Sequence, residues 1–121
     1  MKPIKPEERK VVNISDESAF TPWGGGEEGT SFIKLNPNME REVGFYIYRM
    51  APGARSIPHR HGGAEEFYVI EGELTDDDGT VYRTGDVVWL DGGTEHYSTT
   101  ETGCTVAVFA EAAEEPPGGA T

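Results

Sequence analysis

From residue 30 to residue 110 the chain is a succession of short β-like runs broken by turn residues, and no stretch keeps a 3.6-residue apolar period for three turns. The runs fall at 30–35, 43–50, 65–71, 73–75, 80–83, 86–90, 96–99 and 105–110, and Val, Ile, Phe, Tyr and Thr are frequent in them. Such a pattern predicts an all-β domain, with strands of this length and spacing suiting a jelly roll or related barrel. A chain of 121 residues is long enough for one hydrophobic core and too short for a second substantial one. Between Leu74 and Val81, Asp76-Asp77-Asp78-Gly79 reads as a solvated turn closing a hairpin. A calcium loop would need further oxygen ligands and a late Glu, which the segment lacks.

The flanks have a different composition. Residues 1–30 mix charge, Pro and the Gly24-Gly25-Gly26-Glu27-Glu28-Gly29 stretch around a short apolar patch, and are expected to form an arm that packs on the barrel or on a second subunit. Residues 31–110 are expected to form the barrel. Residues 111–121, rich in Glu, Pro, Gly and Ala, are expected to be a flexible acidic tail.

Ten Lys and Arg against 22 Asp and Glu give a formal charge of -12, which repels a nucleic-acid backbone or an anionic membrane surface at long range. No run approaches the ~20 apolar residues of a membrane span, and the first ten residues hold no apolar signal core, so a cytoplasmic location is the default expectation. The lone Cys104 has no partner for an internal disulfide and reads as a small hydrophobe entering a strand.

The chain has three histidines, at 59, 61 and 96. On a strand His59 and His61 project from one side with α-carbons roughly 6.6 Å apart, so both imidazoles can reach one ion at bonds of about 2.1 Å. Gly62-Gly63-Ala64 lets the chain bend before Glu65-Glu66-Phe67-Tyr68-Val69-Ile70 resumes an extended run. Parity puts Glu65 on a face with Phe67 and Val69, which favours it as a carboxylate ligand and leaves Glu66 as the alternative. His96 follows the turn Asp91-Gly92-Gly93-Thr94, and only tertiary folding can bring it across to the other two.

These spacings resemble the two motifs of the cupin superfamily. Gly53, His59, His61, Glu65 and Gly72 match the first, whose register also selects Glu65 over Glu66. Gly85, Gly93 and His96 match the second, in which Asp91 stands where the family has Pro and Thr100 where it has Asn. A narrower likeness in His59-Arg60-His61-Gly62-Gly63-Ala64-Glu65-Glu66-Phe67, in Leu74-Thr75-Asp76-Asp77-Asp78-Gly79 and in Gly103-Cys104-Thr105 resembles the ChrR-type cupins. That group includes the cupin domain of zinc-dependent anti-sigma factors and is similar to diketone-cleaving dioxygenases.

The resemblance implies a single-domain cupin β-barrel of the jelly-roll type holding one divalent metal ion through His59, His61, Glu65 and His96. Fe, Mn, Ni, Co and Zn all accept three imidazoles and a carboxylate, and such a set leaves positions open for water, substrate or O₂. The function implied is that of an oxidoreductase of dioxygenase type acting on a small oxygenated organic molecule chelated to the metal, with Glu65 either a fixed ligand or a catalytic base. Phe67, Val69, Trp89, Tyr48 and Tyr97 are candidates for an apolar substrate-binding wall, and Arg55 for a charge near its mouth. The competing readings are a non-catalytic module that senses zinc or a small ligand, and a sugar isomerase or epimerase. Small cupins commonly pair, so a homodimer is expected, with edge strands covered.

Overall fold

The computed structural model describes residues 1–118. Its eleven strands are β1 (Thr21–Gly24), β2 (Glu27–Ile33), β3 (Gly44–Met50), β4 (His59–His61), β5 (Glu65–Asp76), β6 (Val81–Arg83), β7 (Val87–Leu90), β8 (Glu95–His96), β9 (Ser98–Thr99), β10 (Cys104–Ala110) and β11 (Glu114–Glu115). The described residues contain no α-helix, only 3₁₀ turns at Pro6–Glu8 and Glu17–Ala19. All pairings are antiparallel. The larger sheet runs β1-β2-β3-β10-β5-β6, with β7 and β9 also on β5, and the smaller runs β11-β4-β8. The all-β jelly-roll expectation holds.

The last long strand, β10, lies between β3 and β5, pairing Val108 with Tyr46 on one side and with Phe67 on the other. One face of these strands is apolar because side chains alternate, so Tyr46, Phe67, Val69, Val106 and Val108 all point inward, together with Met50 and Trp23. Val69 and Met50 are fully buried, and each such side chain contributes about 1.5–3 kcal/mol.

The runs at 65–71 and 73–75 prove to be one strand. Gly72 joins them at φ +81°, a conformation L side chains rarely adopt, and a Cβ there would overlap the Gly103 carbonyl just before β10. The expected hairpin is present, with Leu74 opposite Tyr82. The run at 96–99 divides into β8 and β9 on different sheets, with Tyr97 between them.

Both flanks contribute more than an arm and a tail. Residues 21–30 lie in β1 and β2, and Trp23 is a core residue, edge-on to Phe32 and Tyr48 at ring separations of 5.5 and 5.2 Å. A single Trp can bury enough area to hold a short edge hairpin in place, whatever the polarity of its neighbours. Past β10, Glu111 exchanges backbone and side-chain bonds with Ala64 (3.0 and 2.9 Å), and β11 pairs with β4. Residues 111–115 are thus a strap across the His59–His61 strand, while 119–121 of the expected tail lie outside the described residues.

Candidate metal centre

The site begins with β4, where alternation does not separate His59 from His61. Across the small sheet His59 sits directly opposite His96 of β8, so the third histidine arrives by strand register alone. The donor nitrogens of the three imidazoles lie within 4.8 Å of one another. The His59 and His96 Nε2 atoms are 3.1 Å apart, close to the ~3.0 Å separating neighbouring ligands at 90° on an ion with bonds of about 2.1 Å.

Each imidazole is fixed from behind through Nδ1. His59 Nδ1 lies 2.9 Å from the Ile57 carbonyl and 3.1 Å from Glu114 Oε2. His96 Nδ1 lies 3.0 Å from Asp76 Oδ1. His61 Nδ1 lies 2.9 Å from Thr94 Oγ1, whose own proton is committed to the Asp91 carbonyl at 2.6 Å. The Ile57 carbonyl and the Asp76 carboxylate only accept, and the Thr94 proton is committed to Asp91, so each Nδ1 is placed to donate to its partner. Their Nε2 atoms then point toward one place. His61 Nε2 is buried and has no hydrogen-bond partner among the described residues. Three imidazole Nε2 atoms converging in this way fit a cation, and outer partners of this kind are what hold metal-bound histidines in orientation.

Burial adds to the picture. It pushes the His59 imidazolium pKa down, helped by the other two histidines, which keeps that ring neutral. Burial also presses on His96, but the hydrogen bond and charge of Asp76 outweigh it and raise its pKa. Asp76 is itself lowered, because bonds from His96, Tyr82 and Ser98 overcome its desolvation. Glu114 is pushed up to about 8 by burial and by the nearby charges of Glu42, Glu65 and Glu27.

Glu65 is buried, its Oε2 3.5 Å from His61 Nε2, while Glu66 is exposed on the opposite face. The cavity in front of the histidines measures about 60 Å³ and is lined by Trp23, Tyr46, Phe67, Leu74, Val106 and Val108, with Glu27, Tyr48, Glu65 and Glu114 as polar members. Of the five wall candidates, Phe67 and Tyr48 line this cavity. The other three wall candidates do not. Val69 is buried behind the cavity lining, Trp89 is 60 % exposed on the outer face of β7, and Tyr97 lies under the Arg55 guanidinium at 4.1 Å. Trp89 follows from parity, since its strand partner is the outward Glu66.

Asp76 is the largest departure from the sequence reading. It is buried and takes the Tyr82 hydroxyl at 2.5 Å and the Ser98 hydroxyl at 2.7 Å in addition to His96. Only Asp77 to Thr80 form the turn. The signal was its alternation with Leu74 on the inward face. Glu114 had no comparable signal, because the composition around it is that of a tail. The two motif departures are absorbed locally. Asp91 supplies its carbonyl to Thr94, and Thr100 donates to the Glu73 carbonyl at 2.6 Å while accepting from Gly103 N at 2.9 Å.

A family model described as the ChrR Cupin-like domain matches residues 8–114. The chain belongs to that family. Comparison with curated proteins gave no match. Among solved structures, this ChrR-like cupin is similar to the polyketide cyclase RemF from Streptomyces resistomycificus, at TM-score 0.70 and 23% identity over 89% of this chain and 82% of that one. It is similar to an acetylacetone dioxygenase from Acinetobacter johnsonii, at TM-score 0.69 and 17% identity over 84% and 74%. It also matches a chain of the complex of Rhodobacter sphaeroides SigE with the anti-sigma ChrR, at TM-score 0.64 and 21% identity, spanning 79% of this chain and 49% of the other. These likenesses establish the cupin fold. No helix among the described residues is long and apolar enough to cross a membrane.

Proposed function

We propose that this cupin holds one divalent metal ion on His59, His61, His96 and Glu65, and acts as a cytoplasmic, homodimeric oxidoreductase of dioxygenase type on a small oxygenated organic molecule. The observation that carries the reading is the convergence of ring nitrogens of His59, His61 and His96 within 4.8 Å of one another, beside a largely apolar cavity that His59 and His96 help to line. An ion bound there would supply a Lewis acid, a template for a two-oxygen chelator and, if it were iron, redox chemistry with O₂.

The chain's own residues set the substrate's size and orientation. Room of about 60 Å³ corresponds to roughly four to six water-sized groups, since each needs about 10–15 Å³. That favours a molecule of a few carbons over a polycyclic one. Phe67, Leu74, Val106 and Val108 exclude water from its apolar part, leaving its oxygens to face the histidine end. Tyr46 and Tyr48 stay neutral, both raised by burial, and Tyr48 is tied to Glu27 by its hydroxyl. Glu65 serves as the fourth donor, its carboxylate 3.5 Å from His61 Nε2.

The second reading is a zinc-bound module that senses a small ligand without turnover, favoured by the match to a chain of the SigE–ChrR complex. One experiment separates the two. Protein purified without chelators is analysed for metal, loaded with Fe²⁺ and assayed for oxygen uptake with 2,4-pentanedione and with a flavonol. Uptake with the small diketone and not with the flavonol supports the proposed activity. Tight zinc, with no uptake under any loading, supports the sensor and removes the enzyme.

A further inference from the structure

The outer face of the large sheet is divided in two. At one end the N-terminal arm covers it: Arg49 of β3 bonds the Ile14 carbonyl at 2.9 Å and Glu17 at 3.0 Å, lies 3.7 Å over the Phe20 ring, and neighbours a Thr105 that is 1% exposed. At the other end nothing among the described residues covers the sheet. There one row across four strands reads Phe45, Phe109, Glu66 and Trp89, each opposite the next in register. The row beside it carries Ala107, Tyr68 and Val87 in the same way.

Phe45 is 59% exposed, Phe109 50%, Trp89 60%, Tyr68 45% and Val87 76%. At 150–250 Å² for each aromatic side chain, this contiguous patch offers roughly 600 Å² of apolar surface. That is at the upper limit of what a monomer leaves bare, and it approaches the ~800 Å² each partner contributes to a standard interface. Glu66 is the one charged side chain in these two rows, so the patch escapes the acidity of a chain of charge -12.

We infer that a second copy of this chain docks on that face, the two outer sheets packing through Phe45, Phe109, Tyr68, Val87 and Trp89 about a two-fold axis. The inference rests on the homodimer in the reading above and names its surface, which is a sheet face in place of the sheet edges expected from the sequence. It does not depend on the metal. A self-complementary patch is what a two-fold interface requires, and the arm already shows that the remainder of this face folds under cover. Because two copies of charge -12 repel, added salt should tighten the pair, as expected for an apolar contact between like-charged bodies.

Sedimentation equilibrium of the full chain tests this. The expected result is twice the chain mass at tens of micromolar protein, with dissociation weakened by salt. Trp89→Glu and Phe109→Glu should each raise the dissociation constant at least 100-fold while the circular dichroism stays that of the parent. Val11→Glu, on an arm residue 83% exposed, should leave the constant unchanged. Should Phe109→Glu fail to fold, Trp89→Ser on the short strand β7 takes its place. Diluting the unsubstituted protein should also shift Trp89 emission to the red, a change absent in Trp89→Phe because Trp23 stays in the core. A monomeric parent overturns both the homodimer and its surface. A parent dimer that survives the Trp89 and Phe109 substitutions overturns the surface alone.

Discussion

His96 Nδ1 donates to Asp76 Oδ1 at 3.0 Å, and that contact ties a ligand-bearing strand of the small sheet to the longest strand of the large one. Asp76 also receives Ser98 and Tyr82, so one carboxylate organises β5, β6, β8 and β9 around the site. Asp76→Asn keeps the volume but weakens its hold on His96. Metal affinity should fall about 10- to 100-fold, measured by competition with a chelating dye, with the circular dichroism unchanged. An unaltered affinity would show that His96 is oriented by something else.

The strap over β4 depends on the absence of a side chain at Gly62. A Cβ there would overlap the Ala113 carbonyl, and the neighbouring Ala112 and Glu115 leave little freedom to move. Gly62→Ala should therefore destabilise the fold by about 1–3 kcal/mol, read from urea unfolding. Gly79→Ala is a poor control because of its positive φ, whereas the open, exposed Thr102→Ala should fall within about 0.5 kcal/mol of the parent.

The proposed activity requires the cavity and not only the ion. Val106→Leu adds one methylene to a wall that faces about 60 Å³ of space, so the stability cost should stay below about 1.5 kcal/mol and the metal content should not change. Oxygen uptake with a small diketone should drop at least tenfold. Equal loss of metal and activity would place the effect on the fold instead.

Cys104 is buried in the core with its thiol pushed up to about 11 by desolvation. At pH 8 roughly one molecule in a thousand carries the thiolate, so the native protein should resist a disulfide reagent that reacts at once in denaturant. Rapid native labelling would contradict the buried position.

The strand-by-strand architecture was legible because alternation and turn residues act locally, and the three histidines stood out because the chain has no others. Parity alone placed Phe67 inside with Glu65 and left Glu66 outside. What escaped was long-range or masked by composition. Asp76 looked like the first residue of a solvated turn, yet Tyr82, Ser98 and His96 reach it from three other strands. Glu114 sits in a Pro- and Gly-rich segment that gives no sign of pairing with β4. Trp89 shows the limit of residue type as a guide, since an aromatic on a short edge strand faces whichever side register dictates.

The most direct test of the central claim is the metal content of chelator-free protein, compared between the parent chain and His96→Ala. The account predicts about one divalent ion per chain in the parent and substantial loss in the variant, with the fold retained because the strands of the large sheet do not need that imidazole. A parent that binds no divalent ion after loading, or a variant that keeps the parent's stoichiometry, would contradict it.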